Sequence, residues 1–231
     1  MRLRSLTLVS VCLAVSLPAR AADDPHAAIR QRIQDMVTGV RDVPLPVVIE
    51  AISGRRVLPW DGEQRGALER AATAVLNEIN RAGITSGRIN EAGNVAERHV
   101  LAALRAEGFS TDRPVAPSGR VRTAGYPDLL ATLGKDHFYV EVKIFSASTE
   151  DSTQRSFYLS PSADFKVTRD AHHLLIAIEL TPVAKGLYRT KTVRWLDLSR
   201  LHCDLKYEFN ASNRDMYRPE AGLVVIESTL P

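Results

Sequence analysis

One stretch, Gly125 to Phe145, constrains the fold of this chain more than any other. Its second half alternates with a period of two. Phe138, Val140, Val142 and Ile144 share one face, and Tyr139, Glu141, Lys143 and Phe145 share the other. That period belongs to a β-strand, because successive side chains of an extended chain point to opposite sides. Leu129, Leu130, Ala131 and Leu133 form an earlier apolar run, and Gly134-Lys135-Asp136-His137 joins the two, which predicts an antiparallel pair. An acid and a lysine two residues apart in an apolar strand need a partner or an ion, since an unpaired buried charge is costly. With the turn over 134–137, Leu133 faces Phe138 and Asp128 faces Lys143. Asp128, Glu141 and Lys143 then converge on one side of the pair. A slip of one residue would separate them.

The rest of the chain supplies a frame for this pair. With 231 residues, 45% of them hydrophobic and 25% charged, the sequence is that of one globular domain with an appendage. Arg2 and Arg4, the apolar run Leu6 to Leu17 and the ending Pro18-Ala19-Arg20-Ala21 follow the order of a secretory signal peptide, with cleavage expected after Ala21. The run is too short for a comfortable membrane span. Loss of residues 1–21 removes Arg2, Arg4 and Arg20 and no acid, so Lys+Arg falls from 30 to 27 against 27 Asp+Glu. Net charge therefore gives no argument for nucleic acid, and any such surface must be local. Cys203 would be the one cysteine left, so an intrachain disulfide is excluded in the processed chain. Export to the periplasm or medium is the expectation; a start placed too far upstream of a cytoplasmic protein is the alternative.

Three helices are expected before the strand pair. Ile29, Ile33, Met36, Val37 and Val40 mark the first. Pro44-Leu45-Pro46 breaks the pattern. Leu68, Ala72, Val75, Leu76 and Ile79 mark the second, ending at Gly83. Asn90 to Glu107 forms the third, closed by Gly108, with Glu97 at the edge of its apolar stripe. Residues 22–87 thus read as an N-terminal helical region and residues 88–231 as the main domain. Phe109 to Val115 holds a short strand. Ser160-Pro161-Ser162 is a helix start, and a helix is expected to run to about His173. Leu174 to Leu180 then suits a strand buried on both faces and paired in parallel after a helical crossover. Thr190 to Leu198 is a further strand, and Tyr207-Glu208-Phe209 and Leu223 to Glu227 are candidate edge strands.

From residue 91 the order is helix, strand, strand with Pro127-Asp128, strand with Glu141-Val142-Lys143, helix, strand. Here the chain resembles the PD-(D/E)xK nuclease superfamily over roughly residues 90 to 180. The resemblance implies an α/β, restriction-endonuclease-like αβββαβ core, with a central mixed sheet flanked by helices, carrying an N-terminal helical extension. It implies metal-dependent hydrolysis of DNA to 5′-phosphate and 3′-hydroxyl ends. Two other acid-x-Lys strings, Asp164-Phe-Lys166 and Asp204-Leu-Lys206, lie outside such a strand context.

The chemistry agrees with the residue types. Two carboxylates about 4 Å apart repel by about 4 kcal/mol at an effective dielectric of 20, and a divalent cation turns that repulsion into binding. Oxygen ligands favour Mg²⁺, with Mn²⁺ as a substitute. Asp128 and Glu141 are the expected ligands. By analogy with the family, the Val142 carbonyl is a third, and Glu97 is the extra acid that many members carry. Lys143 would orient or deprotonate the attacking water and stabilise the developing charge. Arg120, Arg122, Arg155, Lys166 and Arg169 are the candidate DNA-phosphate contacts. His172-His173 reads as structural, and no zinc site is expected. A homodimer is in keeping with restriction-type enzymes. A DNA-binding module without turnover and a periplasmic interaction protein with a chance motif are the rival classes.

Overall fold

The structure is a computed structural model and describes residues 25–87, 92–121, 125–151, 157–205, 211–212, 215–216, 220 and 222–223. The signal-peptide segment and the candidate edge strand Tyr207-Glu208-Phe209 lie outside the described residues, as does all of Leu223 to Glu227 except Leu223 itself. Residues 41–205 form one compact unit; residues 1–40 and 206–231 group separately and include the first helix, α1 (Ala27–Thr38).

The larger unit is a mixed α/β structure with a central sheet flanked by helices. Its strands are β2 (Val57–Leu58), β3 (Ile84–Thr85), β4 (Ser110–Asp112), β5 (Leu129–Leu133), β6 (Asp136–Phe145), β7 (Ala171–Ala184) and β8 (Leu187–Asp197). They run in the order β3-β8-β7-β6-β5-β4, with β2 paired to the start of β7. β6 and β2 lie parallel to β7, and the other pairs are antiparallel. A separate two-stranded pair joins β1 (Val43–Pro44) to β9 (His202–Cys203). This is the central mixed sheet that the resemblance implies.

Both faces of the sheet are covered. On one, α3 (Arg65–Ala82) and α4 (Ala92–Ala106) bury Leu68, Ala71, Val75, Ile79, Ala96, Val100 and Leu104 against Phe138, Val140, Val142, Ile176 and Ile178. Spacings of three and four put these helix residues on one stripe. On the other, α2 (Leu45–Ser53) and irregular chain bury Leu45, Ile49, Tyr126, Phe165 and Val167 against Tyr139, Leu175 and Ala177. β6 therefore alternates as its sequence predicts. Residues 41–87 contribute to the same sheet and cores as residues 92–205, through α2, α3, β2 and β3.

Three expectations need correction. Pro44-Leu45-Pro46 starts α2 and does not merely interrupt, because proline lacks only a donor that a first helical turn leaves unused. The expected crossover helix is absent among the described residues 157–170, which are turn and coil. Phe165, Lys166 and Val167 are buried in succession, a pattern that no one-sided helix can give. Its polar groups also serve distant partners: Asp164 accepts from Ser118, and the Thr168 N–H donates to the Tyr139 hydroxyl. His172 and His173 consequently stand on opposite faces of β7, one stacked on Phe138 and the other beside Tyr126 and Tyr139.

The turn between β5 and β6 is the third. It has two residues, Gly134-Lys135, so Leu133 pairs with Asp136 and Leu129 with Val140. Gly134 takes φ +61°, a conformation suited to a tight hairpin and cheap only for glycine and a few others. The expected register is off by two residues. Because the side-chain period is also two, every group stays on its expected face.

Candidate active site

Asp128 stands one residue before β5, where the pair with β6 opens. Its N–H donates to the Val140 carbonyl at 3.2 Å, and its Oδ2 accepts from the Val142 N–H at 2.8 Å. The corrected register sets Asp128 across from Glu141 instead of Lys143. Alternate residues of a strand also direct their backbone groups to the same edge. The Val142 carbonyl accordingly points to the edge on which Asp128 lies.

Glu141 is 3% exposed in the middle of β6. Its Oε1 lies 2.6 Å from Lys143 Nζ. Its Oε2 is buried with no hydrogen-bond partner. Burial above all, and then the Asp128 charge, push the Glu141 carboxyl up to about 7, against the pull of Lys143 and Lys166. An orphaned buried oxygen, a second carboxylate that repels it and a backbone carbonyl on the same edge make a donor set that fits a hard divalent cation. Among the described residues no three His, Cys, Asp or Glu side chains gather closely enough to hold an ion by themselves. Substrate or water oxygens would have to complete the shell, as Mg²⁺ sites commonly require.

Glu97 comes from α4 on the far side of the strand pair. It sits 3.4 Å from Arg113 and is only partly exposed. Burial first, and then Asp128, raise its carboxyl, while Arg113, Lys166 and Arg98 lower it. Glu97 is thus within the electrostatic reach of Asp128 but is held by Arg113.

Lys143 keeps a partly exposed side chain, with its ammonium 5.6 Å from the centre of the Tyr158 ring. Lys166, expected as a DNA-phosphate contact on the crossover helix, is instead 3% exposed and donates to the Gly125 carbonyl. Burial lowers its ammonium, and Asp128, Glu141 and Glu97 all act to raise it. Arg120 and Arg169 are exposed. Arg122 and Arg155 lie outside the described residues.

Two supports were not visible in the sequence pattern. Arg113 follows β4 and reaches Glu97 from a loop. Tyr126, two residues before Asp128, is fully buried, and its hydroxyl shares a 2.5 Å hydrogen bond with His173 Nδ1. Burial holds the His173 imidazole down to about 3, so it stays neutral. Alternation along β7 puts His173 on the face of Tyr139 and Glu141, a signal that the misplaced helix concealed. An open depression of about 280 Å³, lined by Trp60, Arg65, Trp195, Asp197 and Arg200 among others, holds none of these groups. No helix among the described residues is long and apolar enough to cross a membrane.

Comparison with known proteins bears on the family of the chain. A family model described as the type II restriction enzyme MjaV family matches residues 38–220. The chain is also similar to the type II restriction enzyme MjaV of Methanocaldococcus jannaschii, with 29% identity over 227 residues, covering 89% of this chain and 97% of that protein. No solved structure matches it.

Proposed function

Because the chain belongs to the type II restriction enzyme MjaV family, we propose that it is a divalent-metal-dependent endonuclease hydrolysing DNA phosphodiester bonds at Asp128, Glu141 and Lys143. The observation that carries this reading is Glu141: a carboxylate 3% exposed, raised by Asp128, with one oxygen on Lys143 and the other without a partner. Asp128, Glu141 and the Val142 carbonyl would hold the ion, with Mg²⁺ the natural choice for oxygen donors and Mn²⁺ able to replace it. Glu97 would join through water or after release from Arg113. When bound, the ion neutralises the phosphate and lowers the pKa of a bound water.

The remaining work falls to this chain. The Val142 N–H fixes the Asp128 carboxylate, and Tyr126 with His173 fixes the backbone before it. Lys143 orients the attacking water and stabilises charge that develops on the phosphate. The water oxygen bonds to phosphorus as the bond to the 3′ oxygen breaks, leaving a 5′-phosphate and a 3′-hydroxyl. Arg120, Arg122, Arg155 and Arg169 would contact backbone phosphates, and two chains would together cut both strands. Residues 1–21 support export before any of this takes place; native protein beginning at Ala22 would agree, and native protein found in the cytoplasm with a different N-terminus downstream of Met1 would favour a start placed too far upstream.

Plasmid and linear DNA incubated with the protein test the reading. Cutting is expected with Mg²⁺ and none with EDTA, and discrete fragments would mark sequence specificity. Cutting that persists in EDTA would overturn it.

A further inference from the structure

The face of the sheet that carries Glu141 and Lys143 does not end at β6. Lys143 lies beside Ala177 of β7, and Ala177 lies beside Arg194 of β8. Residues paired in this way project to the same face. Lys143, Ala177 and Arg194 therefore stand in one row across three strands. The middle residue is an alanine, which leaves the surface low between two long basic side chains. Two strand spacings, about 10 Å, separate the backbones of the two cations. The β8 end of this face is open, with Arg194 and Leu196 both exposed.

The Arg194 guanidinium has a defined place. It lies 5.6 Å from the centre of the Phe145 ring, two residues beyond Lys143 on the same face, and it bonds to the Glu150 carboxylate. Glu179, the cross-strand neighbour of Phe145, is 8% exposed and fixed on β7. Glu150 differs: it is exposed and belongs to the turn that follows β6. An exposed ion pair contributes little to stability and is given up readily. A guanidinium carries five N–H donors in a planar fork that matches phosphate as well as carboxylate. Glu150 is thus an acid that an incoming anion can displace.

We infer that Arg194 forms a second phosphate subsite on the active-site face: it takes the DNA phosphate next to the one that is cut, and Glu150 holds the guanidinium in place until that phosphate arrives. The inference rests on the active-site reading above, in which Lys143 meets the phosphate that is cut. Ala177 keeps the space between the two cations clear for the sugar–phosphate strand. A purely structural clasp between β8 and the turn after β6 makes the opposite prediction for Glu150.

Plasmid cleavage in Mg²⁺, followed as kcat and KM at several salt concentrations, tests the subsite. Arg194→Ala is expected to raise KM by about tenfold and to flatten the slope of log KM against log salt by about 0.9, the share of one phosphate contact, with kcat within about threefold of wild type. Arg194→Lys should keep the wild-type slope. Glu150→Gln should lower KM below wild type, because it frees the guanidinium and removes an acid from the path of the phosphate. A structural clasp would move Arg194→Ala and Glu150→Gln the same way, since each breaks the same bridge. A raised KM in Glu150→Gln, or a wild-type salt slope in Arg194→Ala, would overturn the inference. Thermal melting identifies a variant that fails to fold; Arg194→Gln then replaces Arg194→Ala under the same criteria. Absence of any cutting by the wild type would sink the active-site reading and this inference with it. Mg²⁺-dependent cutting with either overturning result would sink the role of Arg194 alone.

Discussion

On one side of β6, Phe138, Val140 and Val142 enter a core shared with α3, α4 and the central residues of β7. On the other side, Tyr139 is followed by Glu141 and Lys143, and the cover is α2 together with irregular chain around Tyr126 and Phe165. Regular helices offer a sheet only side chains, because their backbone groups are spent on themselves. Irregular chain brings free carbonyls and N–H groups to the sheet, as Gly125 does for Lys166. Polar groups such as Glu141, Lys166 and His173 can therefore be buried on the second side at tolerable cost. The first side is an apolar core, and the second carries the proposed chemistry.

Substitutions on the two sides should therefore fail in different ways. The largest effect is expected from Lys143→Ala, which should lower cleavage by about 10³-fold or more while the melting temperature barely moves. Full activity in that variant would end the division of labour. On the other side, Ile176→Ala at a fully buried position of β7 should cost about 3 kcal/mol in denaturant unfolding and leave cleavage per folded molecule unchanged.

Glu141→Gln sharpens the contrast through pH. The Glu141 carboxyl titrates near 7 in the folded chain, above its ordinary value of 4.5, so the folded state binds the extra proton between those values. Metal-free protein should lose stability as pH rises from 4.5 through 7, by roughly 2–3 kcal/mol. His173, held down, contributes with the opposite sign below 6.5 and is common to both proteins. The glutamine variant should therefore be the more stable at pH 8 without metal and equal to wild type near pH 4. A wild-type slope in the variant would refute the assignment. The smallest effect is expected from Tyr126→Phe, which strips His173 of its partner and should cost about 1–2 kcal/mol. A cleavage loss larger than that stability loss would show that the pair also aims Asp128.

The sequence disclosed the regular side well. Alternation over Phe138 to Phe145 and the three-and-four spacing of Leu68 to Ile79 are local signals, and local signals survive folding. Asp128, Glu141 and Lys143 were also legible, because a two-residue register error leaves every face unchanged. The irregular side was not. Ser160-Pro161-Ser162 has the chemistry of a helix start, yet Asp164 and Thr168 bond to Ser118 and Tyr139, partners that no local pattern announces. Lys166 read as a DNA-phosphate contact for the same reason. β2 and β3 have two residues each and are too short to leave a period.

The pairing of β2 with β7 bears on how the protein is made. Arg56 and Asp170 are joined across 114 residues of chain, and Val57 meets Ala171 beside them. Neither pairing can form before the chain has been made past Ala171. A ribosome-bound chain that ends before Ala171 possesses Asp128, Glu141 and Lys143 but not the strand that flanks β6. The proposed cutting site would thus lack its flanking strand until synthesis has passed β7.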